Sequence, residues 1–295
     1  MAQTLHLGCG GDVGYLPHTA AMVASVVEKA GPLHVHVHYM HEPRLSRRDR
    51  QRFESFGREL GAGVTLIEVE DERIAGLPPS GHLKRPMWYR CFLPELAPEV
   101  GKILYLDADT LALDSVEPLW ATDLAGNMIG AVSNVWEPWN VGYEESLGLP
   151  KPYFNSGVML MDLERMRQER ATAAILDYAH AHLDRLPWGD QDPLNVALGG
   201  SRVELHPRWN CMNSVLYFEQ AIDLFGAEAV AEARANPGIR HFEGPSINKP
   251  WHYLCAWEGR DAYFRYRAQT PWPRVRRTGV TPMNVARRVK RSLRG

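Results

Sequence analysis

Ile103-Leu104-Tyr105-Leu106-Asp107-Ala108-Asp109 is the stretch from which the rest of the chain can be read. Four apolar residues in a row form a short buried strand, and the two carboxylates that follow end it where it leaves the core. Upstream, Thr4 to Leu7 reads as a strand, Gly8-Cys9-Gly10-Gly11-Asp12 as a tight polar turn, and Pro17 to Lys29 as a helix. Leu33 to Met40 alternates apolar residues with histidines like a strand. Ser46 to Leu60 is a charged amphipathic helix, and Gly63 to Val69 is a third strand. Strands that alternate with helices predict an α/β fold with a mainly parallel central sheet and crossover helices. Met87 to Leu96 reads as helical. Downstream, Asn127 to Val132 and Val158 to Met161 read as strands, and Arg170 to Leu183 and Asp192 to Leu198 as helices. Between Arg208 and Lys249 the pattern is weak, with a short strand at Ile239 to Phe242.

Open α/β folds bind ligands outside the carboxyl ends of their strands, where Asp107 and Asp109 would emerge. Hard oxygen donors there suit Mg²⁺ or Mn²⁺ held against a diphosphate. The plain alternative is a capped strand end, because Asp is common in turns. Gly189-Asp190-Gln191-Asp192 forms a second acidic cluster, and His241-Phe242-Glu243-Gly244-Pro245 with Lys249-Pro250-Trp251 adds an imidazole and a lysine. An imidazole beside two carboxylates favours Mn²⁺ over Mg²⁺, and a lysine would neutralise phosphate charge. Each also has a structural use: Asp190 as a helix cap, His241 as a core histidine, Lys249 as a solvated charge. His34-x-His36-x-His38 with His41 reads as a metal patch or as one face of a half-exposed strand. Trp136 and Trp139 flank Pro138 in a loop, where they would stack on a sugar or fill the core.

The 295 residues are 45% apolar and 23% charged, which fits a soluble globular protein and excludes disordered and collagen-like classes. The four cysteines stand far apart with no Cys-x-x-Cys spacing. Neither a zinc ribbon nor a disulfide framework is expected, and a reducing cytosol fits. The N-terminus lacks a signal-peptide pattern, and the apolar run Ala20 to Val27 is too short to span a bilayer. The net charge of −2 hides an asymmetry. Residues 262–295 hold ten Lys or Arg and no Asp or Glu, leaving 23 basic and 35 acidic residues in 1–261. That divides the chain into a body, 1–261, and a basic, aromatic tail, 262–295. In the tail, Val285, Val289 and Leu293 recur every four residues among Arg287, Arg288, Lys290, Arg291 and Arg294. Such a basic amphipathic helix suits an anionic leaflet, each basic residue adding on the order of 1 kcal/mol. No nucleic-acid module precedes it, so nucleic acid is not an expected partner.

In their order and spacing, these blocks resemble glycosyltransferase family 8, in particular its bacterial lipooligosaccharide galactosyl- and glucosyltransferases. The blocks are Asp12-Val13-Gly14-Tyr15 with Ser25, Trp88-Tyr89-Arg90, Leu104 to Asp109, and Tyr153-Phe154-Asn155-Ser156-Gly157-Val158. They continue with Asp190-Gln191-Asp192 and Leu194-Asn195, Arg208-Trp209-Asn210, His241-Phe242, Gly244-Pro245 and Lys249-Pro250-Trp251, and the likeness spans roughly residues 3 to 257.

The resemblance implies a GT-A fold, a divalent cation, a UDP-hexose donor and retention of anomeric configuration. By that likeness Asp107, Asp109 and His241 would ligate Mn²⁺. Gly10, Asp12 and Tyr15 would lie at the nucleotide, and Asp107, Gly244 and Lys249 at the diphosphate. Arg90, Asn155, Asp190 and Gln191 would surround the transferred sugar, and His82, Asn134, Trp188 and Asp192 the saccharide or glycolipid acceptor. A double displacement needs a carboxylate nucleophile beyond the sugar, and Gln191, an amide, is a poor one. The expectation is therefore front-face attack, with the acceptor proton passing to the departing phosphate and Gln191 and Asp190 supporting the cationic sugar; Asp190 as nucleophile is the alternative. The lipid-linked acceptors of the family, with the basic tail, imply a cytoplasmic enzyme peripheral on the inner face of the plasma membrane. Three positions depart from the family pattern: Gly14 stands for the commoner Asn, Asn134 where an acidic residue often faces the acceptor, and Pro245 to Lys249 is two residues longer. Asp107-Ala108-Asp109-Thr110 also fits the haloacid dehalogenase phosphatases, and a UDP-sugar-binding protein without turnover is the non-enzyme alternative.

Overall fold

The computed structural model describes residues 3–79, 85–136 and 143–292. Its strands are β1 (Thr4–Gly11), β2 (His34–His41), β3 (Gly63–Glu68), β4 (Lys102–Leu106), β5 (Thr110–Ala112), β6 (Ile129–Ser133), β7 (Phe154–Asp162), β8 (Arg202–Glu204) and β9 (Ile239–His241). Seven of them form one sheet in the order β3-β2-β1-β4-β7-β6-β8, and β5 pairs with β9 in a second, small sheet. Every pairing in the large sheet is parallel except those of β7, which runs antiparallel to β4 and β6. The expected mainly parallel α/β architecture is therefore observed. β1 has β2 on one side and β4 on the other, so the chain reverses its direction of travel across the sheet there. That makes a crevice at the carboxyl ends of β1 and β4.

Alternation along the strands divides the core between the two faces of the sheet. Leu5, Leu7, Val35, Val37, Leu104 and Leu106 pack under the helices Leu16–Glu28 and Arg47–Glu59. Ile103, Tyr105, Met159 and Met161 pack on the other face, with the 3-10 helix Arg85–Phe92 and the helices Ala171–Ala181 and Gln191–Leu198. Ser46 caps Arg47–Glu59 by accepting from the Asp49 amide. Ser25 Oγ, buried in the first helix, accepts from the Ala112 amide at 3.0 Å and so ties that helix to β5.

Several local expectations change. The glycine-rich stretch Gly8 to Gly11 continues β1 in register with His38 to His41 instead of forming a turn. A Cβ on Gly10 would stand 3.0 Å from the Met40 carbonyl oxygen, so glycine is what lets the backbone serve as a floor there. Met87 to Leu96 is mostly 3-10 helix, with a single α-turn at Leu93–Leu96 that carries Pro94 at its start, where no amide is needed. The weakly patterned region holds Asn213–Tyr217, Gln220–Phe225 and Ala227–Ala235, helices too short to show a clear period.

The basic segment is not uniform. Helix Arg260–Ala268 crosses the expected 261/262 boundary and packs on the first helix: Tyr263 and Tyr266 are buried, and the Tyr266 hydroxyl donates to Glu28 at 2.9 Å. Residues up to this point belong to the body. The last helix, Pro282–Ser292, leaves Met283, Val285 and Val289 exposed, and Arg288 reaches the Tyr253 carbonyl at 2.8 Å. Among the described residues no helix is long and apolar enough to cross a membrane. All four cysteines are buried and free.

Candidate active site

Pairing of β5 with β9 sets Thr110 opposite His241, and the Phe242 amide donates to the Asp109 carbonyl at 2.9 Å. That register carries His241 to the two carboxylates that follow β4. Among the described residues one group of metal-ligating side chains converges: Asp107, Asp109 and His241, with ligand atoms all within 4.8 Å of one another. Gly157 of β7 lies against them, and a Cβ there would stand 2.3 Å from His241 Cε1 and 2.9 Å from Asp107 Oδ2. The space beside an imidazole and two carboxylates is thus kept open by a missing side chain, and the donor set suits a divalent cation with some nitrogen affinity. The histidines of β2 do not converge in that way. His36 bonds Thr65, His38 pairs with His6, and His41 bonds the Glu42 carbonyl.

The cluster sits in a cleft of about 510 Å³. Gly10, Asp12 and Tyr15 line it from the end of β1, and Gly244 and Lys249 from the loop after β9. Arg90, Asn155, Asp190 and Gln191 form its inner wall, and Asn134 and Trp188 stand on its far side. The structure therefore gathers nearly every expected site residue into one cavity. His82 lies outside the described residues, as do Pro138 and Trp139. Asp192 does not face the cleft: it is fully buried, accepting from the Tyr153 hydroxyl at 2.7 Å and from the Trp188 amide at 3.0 Å. Instead of meeting a ligand, it sets the loop that carries Trp188.

Electrostatics make the inner wall a linked array. Arg90 is 5% exposed and lies 3.0 Å from Asp107 Oδ1 through Nη2 and 2.8 Å from Asp190 Oδ2 through Nε. The Nε–H itself points to the Met87 carbonyl, 3.1 Å away, so the Asp190 contact is close but not a hydrogen bond. Burial, only partly opposed by Arg90, pushes the Asp190 carboxyl up to about 7. Asp109 behaves oppositely: burial alone would raise it, but the Lys249 ammonium holds it well below the usual carboxylate range. Lys249 Nζ donates to Asp109 Oδ2 and to the Phe242 carbonyl, so the longer loop after Gly244 still delivers the ammonium to the cluster. Gln191 Oε1 accepts from the Ser156 amide at 2.9 Å, which holds its side chain against β7.

Two further residues of the cleft, Tyr105 and Ser156, were given no role by the sequence. Tyr105 donates to Asp107 Oδ1 at 2.9 Å, and Ser156 receives Arg90 through its carbonyl at 2.7 Å. Trp136, which had an equal claim on the core, lines the cleft with its ring centre 5.6 Å from that of Trp188. The signal for Ser156 and Gly157 was present, since both lie in the block Tyr153 to Val158. Tyr105 looked like one more apolar residue of its strand.

A mainly parallel sheet with an Asp-x-Asp turn, a converging histidine and a glycine-floored cleft at its switch point defines a GT-A glycosyltransferase. The sequence model of glycosyl transferase family 8 matches residues 6–255, and the chain belongs to that family. It therefore takes a nucleotide-sugar donor and a saccharide acceptor, and the phosphatase reading of Asp107 to Thr110 is set aside. General stress protein A of Bacillus subtilis is 28% identical over 92% of this chain and 95% of its own length. The lipopolysaccharide 1,3-galactosyltransferase of Salmonella typhimurium is 25% identical over 92% of this chain and 80% of its own. A crystal structure of the galactosyltransferase LgtC with donor and acceptor sugar analogues matches at TM-score 0.80 and 25% identity, covering 96% of this chain and 99% of that one.

Proposed function

We propose that the protein moves a hexose, galactose or glucose, from a UDP-sugar to a saccharide acceptor that is lipid-linked, with Mn²⁺ and retention of configuration. The observation that carries this reading is the convergence of Asp107, Asp109 and His241 in the same cleft as Arg90, Asn155, Asp190 and Gln191. The relatives named for galactosyl transfer supply the sugar class. A cation held by Asp107, Asp109 and His241 would stabilise the diphosphate leaving group as a Lewis acid. Lys249 lies at the same place with its ammonium, and Asp12 and Tyr15 bound the nucleotide end of the cleft.

The inner wall favours front-face attack. Asp190 is 2% exposed and lies against Arg90, while Gln191 is an amide anchored by Ser156. Neither offers a free carboxylate to the far face of a sugar, as double displacement requires. Their role is to orient the sugar and support its positive charge, while the acceptor hydroxyl loses its proton to the departing phosphate. Asn134, Trp136 and Trp188 hold the acceptor, the indole rings stacking on its sugar faces. The exposed basic helix Pro282–Ser292 rests on an anionic bilayer, which places the enzyme on the inner face of the plasma membrane.

The test is UDP release from a panel of UDP-hexoses with Mn²⁺, with EDTA as control, since slow donor hydrolysis needs no acceptor. Release from one donor, abolished by EDTA, is expected and names the sugar. Binding of UDP and Mn²⁺ without hydrolysis or transfer would identify a non-catalytic binding protein, and no UDP binding would overturn the reading. Removing residues 280–295, which spares the docked helix Arg260–Ala268, should abolish sedimentation with anionic vesicles and leave donor hydrolysis unchanged. Equal sedimentation of both forms would remove the membrane role.

A further inference from the structure

We infer that Asn210 is a positioning residue whose single side-chain amide sets two things at once: which nitrogen of His241 is free for the cation, and which end of Asn155 faces the donor sugar. The inference rests on the reading of His241 as a cation ligand and adds a residue for which neither the motif reading nor the comparisons give a role. Asn210 is fully buried in the 3-10 helix Pro207–Asn210, and it is not among the residues that line the cleft. Its partners are two residues that do line it.

The orientation of this chain of amides follows from one fixed point. The Gly157 backbone N–H can only donate, and it meets the Asn155 side chain at 3.0 Å, so that atom of Asn155 is the carbonyl oxygen. The same oxygen lies 2.9 Å from Asn210, which must therefore present its NH₂ group there. The other end of Asn210 is then its carbonyl oxygen, 2.9 Å from His241 Nδ1. A carbonyl can only accept, so Nδ1 carries the proton. In the neutral ring Nε2 is left with its lone pair.

Two consequences follow at the cleft. His241 Nε2 faces Asp109 Oδ1 at 3.5 Å, two lone-pair-bearing atoms with no proton between them, which is the arrangement a cation resolves. The carbonyl end of Asn155 is filled by two donors, so the end left for the cleft is its NH₂, a donor suited to a sugar oxygen. A backbone amide of β7 thus dictates, through Asn155 and Asn210, the tautomer of a histidine on β9. This explains why buried polar side chains persist in a place where apolar packing would otherwise serve.

The experiment compares the native chain with Asn210→Ala and the near-isosteric Asn210→Asp. Histidine tautomers are read by ¹⁵N NMR in the cation-free protein near pH ~8.5, above the ordinary imidazole value of about 6.5. Mn²⁺ binding in the presence of UDP is read by EPR of free Mn²⁺. The native His241 should be protonated on Nδ1. Asn210→Ala should shift it toward Nε2 protonation and weaken Mn²⁺ by about 10- to 100-fold. Asn210→Asp keeps an acceptor for Nδ1 but loses the donor to Asn155. Its tautomer and Mn²⁺ affinity should hold while kcat for donor hydrolysis falls at least about tenfold. A native His241 protonated on Nε2, or an alanine variant with unchanged tautomer and Mn²⁺ affinity, would overturn the inference. So would equal losses in both variants, the mark of a merely structural residue. If Asn210→Ala does not fold, the native tautomer and the Asn210→Asp split still decide. Should the native chain bind no Mn²⁺ with UDP, the proposed function fails, whereas the tautomer measurement still judges the role of Asn210.

Discussion

The two halves of the cleft are built differently. On the side proposed for the donor, strand ends supply the polar groups, and many of them are linked: Asp109 meets Lys249 and His241, His241 meets Asn210, and Asp107 meets Arg90 and Tyr105. On the side proposed for the acceptor, Trp136 and Trp188 are half-buried loop residues that touch through tilted rings. A linked polar network has few low-energy arrangements and loses much when a member goes. Aromatic faces in loops accept small displacements at little cost. Under the proposed function, the first half is suited to one fixed reaction and the second to setting which saccharide is used.

The hardest test of that contrast is Asp109→Asn. It removes a proposed cation ligand and leaves Lys249 without its charged partner, so turnover should fall by about a thousandfold or more, with an unchanged far-UV circular dichroism spectrum. Undiminished donor hydrolysis would break the claim that this half carries the chemistry. A smaller effect is expected at Asp190. Its carboxyl is raised from 3.8 in the unfolded chain to about 7 in the folded one. The folded state thus binds the proton more tightly, and the stability this group contributes is fully present below about pH 4 and lost as pH rises through about 7. Against Asp190→Asn, thermal or denaturant unfolding should show the native chain losing up to about 1.4 kcal/mol per pH unit in that window. Parallel stability curves for the two proteins would mean that Asp190 is not held protonated. The smallest effect is expected across the cleft. Trp188→Ala should cost about 1 kcal/mol of acceptor binding, seen as a several-fold higher KM for acceptor with donor hydrolysis unchanged. A loss of donor hydrolysis in this variant would show that the halves are not separable.

Much of the donor half was legible in the residues. Ile103 to Asp109 reads locally as a strand that delivers two carboxylates to its carboxyl end, and β4 with its turn is found there. Gly157 and Asn210 were within reach, since both stand in the recognised blocks, but their use is steric in one case and at one remove in the other. Neither leaves a local pattern. Asp192 misled for the opposite reason: a carboxylate beside Asp190 and Gln191 suggests a ligand contact, and only the fold shows Tyr153 and the Trp188 amide already holding it. The glycines after Leu7 resembled a turn because glycine breaks strands in isolation, yet here β2 pairs with β1 as far as Gly11, and β4 with Leu7 and Gly8, which holds the backbone extended.

By itself, the sequence determined the alternation of strands and helices, the mainly parallel sheet and the acidic strand end, because periodicity and turn chemistry act over a few residues. Only the tertiary structure decided what stands beside that strand end. The β5–β9 pairing joins three-residue strands from distant parts of the chain, and no local propensity specifies so short a partner. The basic segment divides for the same reason: Tyr263 and Tyr266 find a helix to pack on and become part of the body, while Val285 and Val289 stay exposed. Local composition is basic and aromatic in the one and basic in the other, and burial is settled only by what lies within reach.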